Sequence, residues 1–417
     1  MKLPVLTYGI DSLDKVLKRS QIDDDKLIGA VGEIVNRVRK IKDAALFEYT
    51  LKFDKIQLDE TSVKVSDYEI EQAYKAVDDS LIKSLRQAKE NILNYHINQR
   101  INSDIDDATG YIMRPVERAG IYIPGGTAAY PSSVLMCALP AVAAGVNEII
   151  MTTPRPENPL TLVAAEECGI KSIFKVGGAQ AIAAMAFGTE SVPRADIIAG
   201  PGNVYVTLAK KLVYGHVGID MIAGPSEILI IADDTANPDY IIADMLSQAE
   251  HDIMSASILI TDSESIAQYV SANLYDRAAR LKRADIIIQA LNNNAAIIKV
   301  DSVDTAIKIA DMIAPEHLEL NIKDAKSAMY KVRNAGAIFI GNYSPEPLGD
   351  YFAGPSHVLP TSGTARFFSA LNTMTFMKRI SVINYDKDSL DKVSKDIIEL
   401  AECEGLDAHA ESIRIRS

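Results

Sequence analysis

The sequence predicts an α/β protein built from two Rossmann-like but incomplete parallel-sheet domains, with helical N- and C-terminal extensions. Two observations carry this prediction. Short apolar runs closed by Gly, Pro or Asp recur through the middle of the chain, and segments of helical length and small-residue composition separate them. Strands alternating with helices imply a parallel sheet covered on both faces.

The elements follow in order. Residues 1–105 read as a mainly helical, charged region packing on the first α/β unit. Leu27, Ile28, Val31, Ile34, Val35, Val38 and Ile41 recur there at helical spacing. Residues 106–218 form the first Rossmann-like domain. Its strands are "AGIYIPGG", "NEIIMTTP", "KSIFKVGG" and "ADIIAGPG", and its helices include "PSSVLMCALPAVAAG", "NPLTLVAAEECG" and "GAQAIAAMAFG". Residues 219–375 repeat the pattern with strands "EILIIADD", "SASILITD", "AAIIKV", "HLELNI" and "AGAIFI". Residues 376–417 turn helical again, through "SLDKVSKDIIELAECEG" and "LDAHAESIRIRS".

Bulk properties narrow the function. With 417 residues, 48% of them hydrophobic and 24% charged, the chain can bury a large core without covalent staples. A net charge of −13 argues against nucleic acid or an anionic membrane as the main partner. Cys137, Cys168 and Cys403 form no C-x-x-C pair, so neither a disulfide framework nor a cysteine zinc cage is expected. The start "MKLPVLTYGI" lacks a signal-peptide core, and no apolar run is long enough to span a bilayer. The expected location is the cytoplasm.

The chain has six histidines, and four stand in polar, Gly/Pro-bounded or helix-end positions: His251 in "QAEHD", His317 in "APEHLEL", His357 in "GDYFAGPSHVLP" and His409 in "EGLDAHAES". Asn237 and Pro238 start a helix whose buried stripe is Ile241, Ile242, Met245, Leu246 and Ala249. Gln248 and His251 would then share a face of its last turn. A metal is the simplest common purpose of such His, Asp and Gln residues, in an open site that leaves room for substrate. Pro315 keeps Ala314 from continuing the preceding helix, so Glu316 and His317 fall on a turn entering a strand, as an acid/base pair or as two solvated side chains. Glycine-rich stretches follow several strands, where parallel sheets bind ligands, but none fits G-x-G-x-x-G. Ser226 would meet substrate or only its own turn, and Cys137 reads as a small buried residue. On these residues alone, a zinc-dependent hydrolase of a small nitrogenous substrate and a non-catalytic binding protein stay open beside a dehydrogenase.

The order "AGIYIPGGTAAYPSSVLM", "KVGGAQAIAAMAFGT", "ADIIAGPGNVYV", "DMIAGPSEILI", "QAEHD", "APEHLEL" and "GDYFAGPSHVLPTSGTARF" closely resembles the histidinol dehydrogenase family, from about residue 30 to His409. The resemblance implies the following. The reaction is a four-electron oxidation of L-histidinol to L-histidine through L-histidinaldehyde, in the last steps of histidine biosynthesis, with two NAD+ and one Zn2+ per subunit. The metal ligands fall on Gln248, His251, Asp350 and His409. Glu316 and His317 are catalytic. Substrate contacts fall on Ser226, Gln248, His251, His317, Asp350, His357, Glu404 and His409, and NAD contacts on Tyr122, Gln180 and Asn203. The family is a homodimer in which His409 and Glu404 on the C-terminal tail complete the partner's site. One departure is Ser356, where many members carry Asn before the histidine.

Overall fold

A computed structural model describes residues 2–19, 25–106, 108–125, 130–154 and 158–417. The chain divides into two units, residues 1–99 with 116–376, and residues 100–115 with 377–417. In chain order the strands are β1 (Val5–Thr7), β2 (Asp104–Ile105), β3 (Thr109–Pro115), β4 (Arg118–Tyr122), β5 (Glu148–Thr152), β6 (Ser172–Phe174), β7 (Ile197–Ala199), β8 (Gly218–Ile219), β9 (Glu227–Ala232), β10 (Ala256–Thr261), β11 (Ala296–Lys299), β12 (His317–Asn321), β13 (Ala337–Ile340) and β14 (Met377–Ile383).

The first unit holds two parallel sheets, one with strand order β6-β5-β4-β7-β8 and one with order β1-β11-β10-β9-β12-β13. Every residue of β9, β10 and β12 is buried, as expected of strands covered on both faces. Ile150 and Ile198 of the first sheet, with Val176 just beyond β6, share a core with the N-terminal helix residues Val31, Val35 and Leu46. The second sheet buries Ile228, Ile230 and Leu259 against Ile241, Met245 and Leu274 on one side. Leu229, Ile231 and Leu318 meet Ile307 and Ile309 on the other.

Several details depart from the sequence reading. The first residues do not join the helical layer on the first sheet: β1 pairs in parallel with β11 of the second, and Val16 packs in that sheet's core. A strand of three residues has too short an apolar pattern to stand out from a loop. The helix Asp25–Asp54 is kinked at Ile41 and Lys42, the latter at φ 48°, so Ile41 leaves the buried stripe and is exposed. The C-terminal region opens with a strand rather than a helix. In the second unit β14 pairs antiparallel with β3, and β3 with β2, and the helices Lys387–Cys403 and Asp407–Arg414 follow.

The glycine stretches prove to be close backbone approaches at the carboxyl ends of the first sheet. Gly200 sits at φ 123°, and a Cβ there would collide with the carbonyl oxygen of Tyr122. Its N–H donates to Asp220 Oδ2 at 2.8 Å, and Lys210 Nζ donates to its carbonyl oxygen at 2.9 Å. Among the described residues, no helix is long and apolar enough to cross a membrane.

Candidate functional site

The helix Val303–Ile313 ends at Ala314, which takes a left-handed conformation (φ 49°, ψ 65°), and Pro315 then forces the chain out of helix. Glu316 follows, and His317 is the first residue of β12. The pair is therefore not solvated: Glu316 is 6% exposed and His317 3%. Its anchor is one residue, Glu227, at the start of β9. The Glu227 N–H donates to Glu316 Oε2 at 2.7 Å, and the Glu227 carbonyl oxygen lies 2.9 Å from His317 Nδ1. A carbonyl only accepts, so Nδ1 carries the proton. His317 Nε2 keeps its lone pair, is buried, and has no hydrogen-bond partner.

Glu316 Oε2 stands 3.6 Å from His317 Nδ1, but the two are not an ion pair. Burial lowers the imidazole's pKa, and Asp350 opposes the shift. Burial raises the Glu316 pKa well above the usual carboxylate range, reinforced by the charges of Glu227, Asp350 and Glu346 and opposed by the Glu227 N–H. Burial thus disfavours the charged form of each group.

The helix Pro238–Ala249 begins as expected, with the Asn237 side chain accepting from Asp239 N at 2.9 Å. It ends sooner than expected, at Ala249. His251 lies past the cap, and its N–H reaches back to the Gln248 carbonyl oxygen at 3.3 Å. The two residues are thus joined by a tight turn rather than by a shared helical face. Gln248 is fully buried, and neither its Oε1 nor its Nε2 has a partner. Asp350 lies on the short helix Glu346–Tyr351. Donor atoms of His251, Glu346 and Asp350 lie within 4.8 Å of one another. His357 Nδ1 is 3.1 Å from the Asp350 carbonyl oxygen and 3.6 Å from its Oδ1, while Nε2 meets Ser133 Oγ at 3.2 Å. Ser356 donates to the Met136 carbonyl oxygen at 3.3 Å and accepts from Val358 N at 3.1 Å, so the shorter residue before His357 is fully used. Ser226 is half-buried immediately before β9. A cavity of about 270 Å³ is lined by His317, Asp350 and His357 together with Phe339, Leu348 and Leu359.

The structure adds acidic residues the sequence reading missed. Glu346 donates its N–H to Glu319 Oε1 at 3.0 Å, and Glu319 shares a side-chain hydrogen bond with Asp244. Burial, first of all, pushes Glu346 up to about 9 and Asp244 up to about 6, and raises Glu319 well above its ordinary value. A signal for two of them was present: Glu227 and Glu319 are carboxylates inside the apolar runs "EILIIA" and "HLELN", and strands covered on both faces bury whatever they carry.

The imidazole of His251 and the carboxylates of Glu346 and Asp350 form a cluster whose donor atoms could hold a divalent cation. Without a cation, burial favours the protonated form of these crowded carboxyls. Their folded pKa values lie above the unfolded ones, so the protonated fold is favoured at low pH and that contribution is lost as pH rises. The metal-free protein should therefore lose stability from about pH 4 to 6 through Asp244 and from about pH 5 to 9 through Glu346. The slope is up to about 1.4 kcal/mol per pH unit for each group. Tm measured against pH would show this decline, and Glu346→Gln should flatten its upper part. A Tm that rises through this range would contradict it.

Of the residues expected to meet NAD, Tyr122 ends β4, and its hydroxyl accepts from Gly178 N at 3.1 Å. Gln180 lies in the first turn of the helix Gly178–Phe187, and its buried Nε2 has no partner. Asn203 caps the helix Val204–Val213 with its side-chain oxygen. All three sit at carboxyl ends of strands of the first sheet. Cys137 is buried and its thiol is pushed up by burial, as for a packing residue. Glu404 and His409 belong to the second unit and are exposed.

An imidazole with one nitrogen committed to a carbonyl and the other bare among buried carboxyls, in an α/β fold, is an arrangement able to move protons on a small polar substrate. The sequence model of the histidinol dehydrogenase family matches residues 17–417. A histidinol dehydrogenase of Heliobacterium mobile is 49% identical, with 99% of each chain covered. One from Bacillus thuringiensis subsp. konkukian is 50% identical over all of this chain and 96% of the relative. The crystal structure of histidinol dehydrogenase from Elizabethkingia anophelis superposes with a TM-score of 0.94 at 39% identity, covering 99% of this chain and 98% of that one. The chain belongs to the histidinol dehydrogenase family and is an oxidoreductase.

Proposed function

We propose that the chain catalyses the zinc-dependent, four-electron oxidation of L-histidinol to L-histidine with two NAD+, closing histidine biosynthesis. The observation that carries this reading is the bare, buried Nε2 of His317, a residue whose Nδ1 stands 3.6 Å from Glu316 Oε2. His317 takes the alcohol proton at Nε2 as the carbinol carbon gives up a hydride, leaving L-histidinaldehyde. Glu316, once ionised, takes a proton from water as that water adds to the aldehyde carbon. His317 returns its proton to the former carbonyl oxygen, which completes the hydrate and frees Nε2, and then accepts a hydrate proton as the second hydride leaves to NAD+, giving the carboxylic acid, which ionises to the carboxylate.

Gln248, His251, Asp350 and His409 would hold Zn2+, which when bound fixes the imidazole and amine of the substrate. Glu346 stands close enough to His251 and Asp350 to share in that role. Ser226 and His357 would border the substrate with the metal-side residues. NAD+ would lie against Tyr122, Gln180 and Asn203 and supply the hydride acceptor. The helices that begin near Gln180 and Asn203 suit its phosphates. Glu404 and His409 would complete the site of the partner in a homodimer. The exposed Ile383, Leu400, Leu406 and Ile415 of the second unit support a covering partner.

The experiment is absorbance at the NADH wavelength with L-histidinol and NAD+, before and after chelation and zinc repletion. Two NADH per histidinol, lost on chelation and restored by zinc, is the expected result. No NADH from folded, zinc-loaded protein would overturn the proposal in favour of hydrolytic chemistry.

A further inference from the structure

Arg19 follows the short helix Asp14–Leu17, far in sequence from any motif, yet its guanidinium is almost wholly buried. Nη1 donates to the Val16 carbonyl oxygen at 3.1 Å. Nη2 donates to two acceptors: Glu227 Oε2 at 2.7 Å and the Ile313 carbonyl oxygen at 3.0 Å. Both acceptors belong to segments that deliver the acid/base pair. Glu227 holds Glu316 and His317 with its own N–H and carbonyl, and its other carboxylate oxygen accepts from Ser362 N at 3.0 Å. Ile313 is the last helical residue before the left-handed turn at Ala314 that leads into Glu316. One nitrogen therefore ties together the two walls between which the pair is set.

A buried ion pair is a poor way to add stability, because desolvating both charges offsets most of their attraction. Its advantage is geometric: a planar guanidinium fixes the direction of each acceptor. We propose that Arg19 is a positioning residue for the reaction. Through the Glu227 carboxylate and the Ile313 carbonyl it sets the placement of Glu316 and His317 against the substrate. It does not itself touch substrate. The inference rests on the reading of Glu316 and His317 as the acid/base pair.

The test compares Arg19→Met, the double variant Arg19→Met/Glu227→Gln and His317→Ala as full-length, zinc-loaded protein, reading Tm, zinc content, kcat and KM for L-histidinol. Arg19→Met strands the Glu227 charge and should lower Tm. The double variant removes that charge and should regain Tm, while kcat stays about 100-fold down, the scale of a misplaced reacting group. KM and zinc content should stay within about twofold of the parent's, since no metal or substrate contact changes. If kcat returns with Tm in the double variant, the pair serves the fold alone and the proposal is overturned. If Arg19→Met does not fold, the double variant decides by itself. His317→Ala separates the two failures. Inactive His317→Ala beside a fully active double variant rejects the role of Arg19 only. Active His317→Ala rejects the acid/base reading and, with it, this inference.

Discussion

Replacing His317 by alanine should leave a folded, zinc-binding protein whose turnover falls by about a thousandfold or more. The size follows from its place in the scheme, since the same nitrogen accepts a proton in both oxidations. No other described residue offers a buried, unpartnered imidazole nitrogen beside Glu316; the other orphaned ring atom, His96 Nε2, belongs to a residue bonded to Gln99 and away from these motifs. The fold should tolerate the change better than most core truncations, because β12 retains its main-chain pairing with β9 and β13. The measurement is NADH production with zinc content determined on the same sample. Near-normal turnover would show that the proton leaves by another route.

The second large effect is expected from Asp350→Asn. Asp350 is shared by the ligand set the resemblance implies and by the cluster in which His251, Glu346 and Asp350 converge. Removing its charge should weaken zinc binding at least about a hundredfold, and turnover should fall with it. Gln248→Ala should weaken binding less, because a neutral amide oxygen contributes less to a cation than a carboxylate does. Zinc titration by calorimetry orders these variants, and Glu346→Gln in the same series shows whether Glu346 is a ligand or a neighbour. Full zinc affinity in Asp350→Asn would remove the residue from the metal site.

How much could be read from the sequence depended on whether the signal was local. β4 to β7 and β9 to β12 were legible because burial on both faces imposes consecutive apolar residues on each strand, a pattern complete within a few positions, and the partly exposed edge strand β13 was legible from its own apolar run. β3 and β14 were not, since Met377–Ile383 is mostly exposed and shows no such run. The end of the helix before His251 was misjudged for a related reason, because a helix stops where its neighbours leave room and not only where its own residues disfavour it. Glu316, His317, Gln248, His251 and Asp350 were singled out from motifs that each lie in one short segment. Arg19, Glu346 and Asp244 had no such motif, and Glu227 and Glu319 were marked only as carboxylates inside apolar strand runs.

By itself, then, the sequence determined the α/β class, the two parallel sheets and the family, because these are properties of contiguous stretches. Only the tertiary structure decided that Glu227 holds Glu316 and His317 by its main chain, that Arg19 reaches both Glu227 and Ile313, and that Glu346 stands against Glu319 on one side and His251 and Asp350 on the other. Those relations join residues up to 294 positions apart. They arise from charges forced into the same dry interior, where each must find a partner or keep its proton, and no local pattern records which partner that will be.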